Sequence, residues 1–358
     1  MFGDAGAGGI LASRSTDGGL RWSDPVPLIT ETDPVVEDHH GDSITADPTD
    51  KDLVYVVWTH LPAPKAKTAV QGPAFFAHSR DGDATWQRAW QILDPGPNKL
   101  TTGHEIVVLP NGALVDGFTL IAVDSADPGQ VQASVAVIDS TTQGRSWSRP
   151  TIVDRLQTVG TSDPQTGDPV AGGNLLTDLA VDPTTGRLYL VWQDARFNAG
   201  RADAVALSSS DDGGHTWSEP VKVNATPTDL PVGDQQVFTP SVAVAADGTV
   251  AVSYFDFRRN DAAAPLWTDR WLVRCQPTAK AACTTADAFG GEVRLTDAAF
   301  DLRQAPLLVG AGGPEGLFLG DSMGLASAGE DFLALFSQPH DSDPASVFAR
   351  RIAPSTRH

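Results

Sequence analysis

The sequence predicts an all-β fold: a β-propeller of about six blades, each blade a four-stranded antiparallel sheet. One observation is a turn pattern, Ser-x-Asp-x-Gly-x-Thr-Trp, that is complete at residues 210–217 and recurs in degraded form at 15–22, 79–86 and 140–147. Another is that the 34 glycines and 26 prolines lie between short apolar runs, as turn residues between short strands do. We find no convincing long amphipathic helix, so both observations favour repeated small sheets.

The complete copy of the pattern reads as a tight hairpin turn. Asp212 is short enough to accept hydrogen bonds from backbone amides just ahead of it, and Gly213 and Gly214 tolerate positive φ angles. Trp217 carries a large apolar face, which we expect to pack against a neighbouring unit. His215 lies at a variable position of the pattern, so we assign it no common role.

The four pattern tryptophans set the length of the repeat. Trp22, Trp86, Trp147 and Trp217 are 64, 61 and 70 residues apart, longer than the roughly 40 to 50 residues of familiar propeller repeats. Each repeat holds four strand-like runs, which we name A to D, and the pattern turn joins C to D. We expect A–B hairpins at 42–58, 105–120, 175–192, 241–254 and 320–336, and C–D hairpins at 10–29, 75–93, 133–153, 202–223 and 271–295.

The two ends of the chain complicate the closure of the ring. The chain begins with strands C and D and ends with A, B and a further strand-like run at 346–352. Either this last run is not a blade strand, or the first A–B hairpin is missing. Both alternatives leave about six blades, the first or last incomplete, in one domain spanning residues 1–358.

Composition narrows the class of partner. The net charge is −20, which opposes binding to nucleic acid or to an anionic membrane surface. No stretch approaches the roughly 18 apolar residues of a membrane span. Cys275 and Cys283 either form a local disulfide or remain two buried thiols; we expect the disulfide and hence an extracellular or periplasmic protein, whose leader the opening residues do not show.

The repeated turn resembles the Asp-box, or BNR repeat, of the sialidase-like superfamily, and the resemblance covers nearly the whole chain. Asp83 stands at the glycine position of one copy and Thr142 at the aspartate position of another, so we expect these two turns to be held less well. In this family the Asp-box is a structural device. The resemblance therefore implies a carbohydrate-active protein whose substrate face is the one opposite these turns.

Strand order alone places the B–C and D–A connections at that opposite end. Two B–C connections share Asp-x-Arg, namely Asp194-Ala-Arg196 and Asp256-Phe-Arg258, and Arg303 is a third arginine in a D–A connection. Converging arginine forks suit the carboxylate of an acidic sugar, so we take these five residues as candidate substrate-binding groups. The alternative is that each arginine pairs with its own neighbouring aspartate and only holds its loop.

Candidate acid and base groups lie at the mouths of the predicted inner strands. Glycoside hydrolysis needs a carboxylic acid and a second group as base or nucleophile. Crowding near a propeller axis would raise some pKa values. The candidates are Asp42, Glu105, Asp178 and Asp321. The alternative is a polar ring that hydrates the channel or binds a cation. We predict no metal or other cofactor, and calcium at the Asp-rich run 33–42 is only a weak possibility.

The tyrosines weigh against true sialidase activity. The resemblance implies a tyrosine nucleophile paired with a glutamate, but the chain has only Tyr55, Tyr189 and Tyr254. Tyr254 aligns with the aromatic residue that ends each strand B, which makes it a repeated core position. Our leading hypothesis is a glycosidase-like protein acting on a glycan, and the alternative is a non-catalytic glycan- or protein-binding scaffold. The sequence leaves the oligomeric state open.

Overall fold

A computed structural model describes residues 8–31, 38–61, 70–124, 131–261, 265–277, 283–310 and 313–354. The chain divides into two compact units, Met1–Arg155 and Leu156–His358. Both consist almost entirely of antiparallel sheets, so the all-β prediction is confirmed. The number of blades and the closure of the ring stay predictions, as does the single domain.

The described residues of the first unit form three sheets. Its strands are β1 (Gly8–Ala12), β2 (Val26–Glu31), β3 (Asp38–Ala46), β4 (Val54–Leu61), β5 (Gln71–Gly72), β6 (Ala74–Ser79), β7 (Trp90–Leu93), β8 (Lys99–Val108), β9 (Leu114–Val123), β10 (Val131–Ser140) and β11 (Thr151–Arg155). The sheets have the orders β1-β2, β3-β4-β6-β7 and β11-β10-β9-β8-β5, with β5 parallel to β8. Each predicted hairpin of this unit is present.

In the second unit, the part of the chain that the structure describes forms four sheets. Its strands are β12 (Thr161–Ser162), β13 (Pro169–Val170), β14 (Thr177–Val181), β15 (Leu188–Asp194), β16 (Ala204–Ser210), β17 (Val221–Lys222), β18 (Val237–Val244), β19 (Val250–Asp256), β20 (Trp267–Cys275), β21 (Gly290–Arg294), β22 (Phe300–Asp301), β23 (Leu307–Gly310), β24 (Gly313–Leu317), β25 (Gly324–Ala328), β26 (Asp331–His340) and β27 (Asp343–Ile352). Three sheets, β14-β15-β16-β17, β18-β19-β20-β21 and β25-β26-β27, match predicted repeats.

Two features of the second unit concern segments outside the predicted hairpins. The run 346–352 is a strand, as part of β27, and it pairs with β26; whether it completes a blade stays a prediction. The sheet β12-β13-β24-β23 was not predicted at all. Its first two strands have two residues each, too short to show an alternation of polar and apolar side chains.

The second strands of two sheets in the second unit are completely buried. β15 reads Leu-Tyr-Leu-Val-Trp-Gln-Asp and β19 reads Val-Ala-Val-Ser-Tyr-Phe-Asp, and every residue of both strands is buried. A strand covered on both faces needs apolar residues in both registers, which explains these near-continuous runs. Buried aromatic residues such as Phe238 and Phe255, which stack at 5.2 Å, complete the core.

Helical structure is confined to four short 3₁₀ turns in the described residues, at Ala195–Asn198, Val232–Gln235, Ala286–Ala288 and Leu302–Gln304. None of the helices described in the structure has the length and apolar character needed to cross a membrane. Cys275 and Cys283 form a disulfide, as we expected. Residues 278–282 of the loop that it closes lie outside the described residues.

The four copies of the repeated turn share one set of hydrogen bonds. In the complete copy, the Gly214 amide donates to the Ser210 hydroxyl at 2.9 Å, while Asp212 accepts from the Thr216 amide at 2.9 Å and its hydroxyl at 2.6 Å. The amide-to-serine bond recurs at Gly19, Asp83 and Gly144. Gly213 and Gly214 have φ angles of 76° and 95°, as predicted.

The two degraded turns keep this scheme, so the weaker hold that we expected is not seen in their hydrogen bonds. The Thr142 hydroxyl replaces the carboxylate and accepts the Ser146 amide at 2.9 Å. Asp83 adopts the left-handed φ of 73° that glycine has elsewhere. The tryptophans differ more. Trp147 packs edge-on against Phe76 at 5.5 Å, whereas Trp22 is 64% exposed.

Candidate functional site

One register position recurs on the inner strand of each large sheet. The residue at this position pairs with a residue on the adjacent strand B. That partner is the one immediately before the large aromatic residue of strand B. The five residues at this position are Ser43, Glu105, Asp178, Ser241 and Gly324. Two of the four predicted acid/base residues, Glu105 and Asp178, are therefore structural equivalents.

Side chains at this position connect one inner strand to the next. In the first unit, the Ser43 hydroxyl donates to Glu105 Oε2 at 3.0 Å and accepts the Ile106 amide at 3.2 Å. In the second unit, Asp178 Oδ2 accepts the Val242 amide at 2.7 Å, and the Ser241 hydroxyl donates to the Met323 carbonyl at 2.7 Å. We call this repeated contact the inner-strand link.

A β-bulge precedes the link in three inner strands. The register shifts between His40 and Ser43, between Thr102 and Glu105, and between Phe238 and Ser241. A residue with positive φ lies in each bulge, namely Gly41 (63°), Gly103 (63°) and Thr239 (49°). A Cβ at Gly41 would lie 2.9 Å from the Gly103 nitrogen, so a side chain there would separate two adjacent inner strands.

The other two predicted acid/base residues are exposed. Asp42 lies in the first bulge, and Asp321 precedes β25. The main-chain carbonyl of Asp321 lies so close to Gly173 that a Cβ there would come within 2.6 Å. Asp42 and Glu105 belong to the first unit and Asp178 and Asp321 to the second. Asp178, unlike Asp321, is not exposed, and burial raises its pKa, as it also does for Asp203 and Asp256 of the same unit.

Burial raises the pKa of Asp178 to about 6, against the lowering effects of the Val242 and Leu179 amides and of Arg270. Arg270 is fully buried on β20, where its guanidinium donates to the Ser253 hydroxyl at 2.8 Å and lies 4.6 Å above the Phe255 ring. Burial lowers the pKa of Arg270 to about 9. Sequence reasoning missed Arg270, because a single arginine inside a strand reads as an exposed residue.

Two of the three candidate arginines form ion pairs with the aspartate of their own Asp-x-Arg segment. Arg196 forms two 2.9 Å bonds to Asp194. Arg258 binds Asp256 at 2.6 Å. Both aspartates are fully or almost fully buried. The pairing that the alternative expects, each arginine with its own neighbouring aspartate, is therefore present at both places, and substrate binding by these four residues stays a prediction.

Arg303 is also paired, but with a distant aspartate. It donates to both oxygens of Asp163, at 2.6 and 3.0 Å, and to Gln165 Oε1 at 2.7 Å. Burial works against ionisation of Asp163, but Arg303 and the amides of Gln165 and Thr166 outweigh it and hold its pKa below the usual range. No local pattern signals this pair, because 140 residues separate its members.

Four connections of the second unit meet around this ion pair. The Gln236 side chain exchanges hydrogen bonds with the Ser162 backbone, at 2.8 Å in both directions. Gln165 donates to the Asp261 carbonyl at 2.8 Å, and Asn260 donates to Asp234 Oδ1 at 2.8 Å. We call this assembly the loop platform; its segments are 161–170, 232–236, 258–261 and 301–304. It occupies the end of the unit that the sequence predicted for a binding face.

Tyr254 lies in a cluster with the residue types of a sialidase nucleophile. Its hydroxyl donates to Glu292 Oε1 at 2.7 Å, and Arg258 binds both Glu292 oxygens at 2.6 and 2.8 Å. However, Tyr254 is fully buried and also accepts the Ala225 amide at 2.9 Å. Burial and the Glu292 charge raise its pKa well above the ordinary value. The phenol is thus both enclosed and protonated, which suits packing and not attack on a substrate.

No group of three or more His, Cys, Asp or Glu side chains in the described part of the chain could hold a metal ion. The weak calcium possibility at 33–42 falls partly on residues 33–37, which lie outside that part. The site chemistry that remains is a set of carboxylates, amides and paired arginines.

Comparison with known proteins gives a fold and no closer assignment. No protein-family model matches the chain, and no curated protein matches its sequence. Solved structures do match. Hadza microbial sialidase Hz136 is 15% identical with a TM-score of 0.54, over 97% of this chain and 59% of that one. The leech intramolecular trans-sialidase in complex with 2,7-anhydro-Neu5Ac is 12% identical with a TM-score of 0.53, over 96% and 63%.

The intramolecular trans-sialidase from Ruminococcus gnavus in complex with oseltamivir carboxylate is 11% identical with a TM-score of 0.54, over 95% of this chain and 87% of that one. The chain thus spans less than two thirds of the Hadza and leech proteins, and most of the Ruminococcus protein. At these identities the likeness concerns the fold alone. The chain has an all-β, sialidase-like fold.

Proposed function

We propose that this protein is an exported, glycan-binding β-propeller of the sialidase-like superfamily, with Asp-box turns at one end of its blades and its binding face at the other. The fold supports the ligand class, since the leech and Ruminococcus proteins are solved with 2,7-anhydro-Neu5Ac and oseltamivir carboxylate. The recurring turn hydrogen bonds support the Asp-box assignment. The Cys275–Cys283 disulfide supports export to an oxidising compartment.

One observation favours glycan binding over sialoside cleavage: every candidate arginine is paired with a carboxylate. Arg196, Arg258 and Arg303 each bind a carboxylate of the protein itself. A substrate carboxylate would have to displace these bonds, and breaking a buried pair costs about 3–5 kcal/mol. The enclosed Tyr254 hydroxyl adds to this, because it offers no accessible nucleophile.

An array of neutral and sialylated glycans tests the proposal. We expect the wild-type protein to bind at least one class and to turn over no aryl sialoside. Gln165→Trp places a bulky group on the exposed part of the loop platform, and His215→Trp places the same group on the exposed repeated turn. The first variant should lose glycan binding and the second should keep it. Absence of binding by the wild type, or equal binding by both variants, would contradict the proposal.

Glycoside hydrolysis is the second candidate function, and the raised pKa of Asp178 favours it. A carboxyl with a pKa of about 6 is still partly protonated near neutral pH, as a general acid requires. A panel of aryl glycosides should then show turnover that Asp178→Ala abolishes. The parallel variants Asp42→Ala, Glu105→Ala and Asp321→Ala would identify the second group. No turnover at any pH eliminates this candidate.

A further inference from the structure

A cleft in the second unit contains none of the candidate acid/base or substrate-binding residues, although Asp301 and Gln304 of the loop platform line it. It opens where the sheet containing β20 meets the sheet of β26 and β27, and its volume is about 400 Å³. Trp267, Phe300 and Phe348 line it together with Pro339. This volume lies within the roughly 300–1,000 Å³ typical of small-molecule sites, and aromatic walls are typical of such sites.

The aromatic walls are held by the core beneath them. Phe300 packs edge-on against Phe255 at 6.1 Å, and Phe348 stacks on Phe336 at 6.0 Å. The His340 ring lies edge-on to Phe348 at 5.5 Å and extends the wall toward solvent. Trp267 is fixed through its backbone, which pairs with Asp301 of β22. The cleft is therefore preformed and needs no rearrangement to accept a flat apolar surface.

A buried amide in the cleft wall has an unused acceptor. Gln338 lines the cleft and is only 8% exposed, and its Oε1 accepts no hydrogen bond from any residue that the structure describes. A buried acceptor without a partner is costly, so such groups call for an explanation. Rotation of the amide about its last side-chain bond would turn this acceptor toward a ligand hydroxyl in the cleft, which would supply the missing donor.

The charges around the cleft select against anions. Asp297, Asp301 and Asp341 line it, and among the described residues no lysine or arginine does. Arg350, from outside the lining, binds Asp297, while Asp301 Oδ1 accepts the Leu266 and Arg303 amides at 2.9 and 3.1 Å. Asp341 remains 87% exposed at the rim. A carboxylate-bearing ligand would be repelled here, and a neutral donor of hydrogen bonds would not.

We propose that this cleft binds an uncharged pyranose ring, with a C–H face of the sugar packed on the aromatic wall and a hydroxyl donating to Gln338. The inference rests on the proposed glycan function only for the class of ligand. It adds a site for neutral sugar, separate from the arginines that suggested an acidic one. Asp301 and Asp341 offer further acceptors for the remaining hydroxyls.

Saturation-transfer NMR with methyl pyranosides tests the site. Methyl glucoside, methyl galactoside and methyl N-acetylglucosaminide serve as neutral probes, and glucuronic and sialic acid serve as charged ones, each at up to about 50 mM to fill a millimolar site. We expect at least one neutral probe to bind and the charged probes to bind at least tenfold more weakly. Equal binding of charged and neutral probes would overturn the charge argument.

Two cleft variants and one control locate the binding. Gln338→Leu removes the amide at similar volume, and Trp267→Ala removes an aromatic wall. Each should weaken binding at least tenfold, as expected for loss of one buried hydrogen bond or one stacking surface. Gln338→Leu should also unfold at the same or a higher temperature, because it removes an unsatisfied buried acceptor. Leu335→Ala alters an exposed position on the opposite face of β26 and should change nothing.

The outcomes separate this inference from the proposed function. Glycan-array binding that persists in both cleft variants, without any methyl pyranoside bound at Gln338, overturns the cleft and leaves the proposed function standing. Methyl pyranoside binding that depends on Gln338, with no glycan bound on the array, supports the cleft and overturns the proposed function.

Discussion

Replacing Asp178 with asparagine should stabilise the protein near neutral pH. Burial raises the folded-state pKa of Asp178 from 3.8 to about 6, so the folded protein binds more protons than the unfolded chain between these values. The stability that protonated Asp178 contributes is therefore fully present below its unfolded-state pKa, and it is lost as the pH rises through the folded-state pKa of about 6. A shift of this size corresponds to about 3 kcal/mol, an upper value because the side chain keeps some solvent exposure.

Asparagine keeps an acceptor for the Val242 amide but cannot ionise. The folded-state pKa of about 6 already includes the lowering effect of Arg270. The free energy of about 3 kcal/mol that follows from this pKa therefore includes that attraction as well. We expect Asp178→Asn to match the wild type at about pH 4 and to exceed it by up to about 3 kcal/mol at about pH 7.5. Urea unfolding followed by tryptophan fluorescence at both pH values measures the free energy of unfolding.

Ser241→Ala is the matched control, because Ser241 occupies the same register position without a titrating group. It loses hydrogen bonds to the Met323 carbonyl and to Arg270 and should cost about 1–3 kcal/mol at both pH values. The reasoning is refuted if Asp178→Asn is less stable than the wild type at neutral pH. That result would mean that leaving Arg270 without its carboxylate outweighs the relief of burying a charge.

Three further predictions concern stability. Asp163→Ala should lower the free energy of unfolding by about 1–3 kcal/mol, since it removes the charged acceptor for Arg303 and for the Gln165 amide; urea unfolding measures this, and an unchanged free energy of unfolding would contradict it. Asp212→Ala should cost about 1–3 kcal/mol in the same assay through the lost turn bonds, and an unchanged midpoint would show that the other bonds suffice. The double variant Cys275→Ser, Cys283→Ser should cost about 2–4 kcal/mol, and reduction of the wild type should reproduce the loss in a thermal scan; a melting temperature insensitive to both would count against a stabilising bridge.

Local patterns predicted most of the strands. The recurring tryptophans and the turn residues between apolar runs located the A–B and C–D hairpins, because both the 2-residue period and the turn chemistry are visible in a single sequence. The sheet formed by β12, β13, β23 and β24 shows neither signal. Its strands are short and come from segments far apart in the chain, so only tertiary pairing defines them.

The candidate site was predicted less completely. Asp-x-Arg spacing indicated that Arg196 and Arg258 lie beside acids, and the structure shows those acids as their partners. The spacing could not distinguish a loop tie from a substrate anchor, because both need the same residue types. The pairing of Arg303 with Asp163 and the contact of Tyr254 with Glu292 join distant segments, and only the folded chain reveals them.

The hydrogen bonds that all four repeated turns share do not use the side chain at one position, although Arg145 donates to the Thr142 carbonyl in its own turn. The residue before the last two of the pattern is leucine, alanine, arginine or histidine, and all four are exposed: Leu20, Ala84, Arg145 and His215. Each lies on a turn whose shape is fixed by its neighbours. These positions are natural attachment points for a dye, a spin label or a surface tether, at the end of the sheets away from the proposed glycan face.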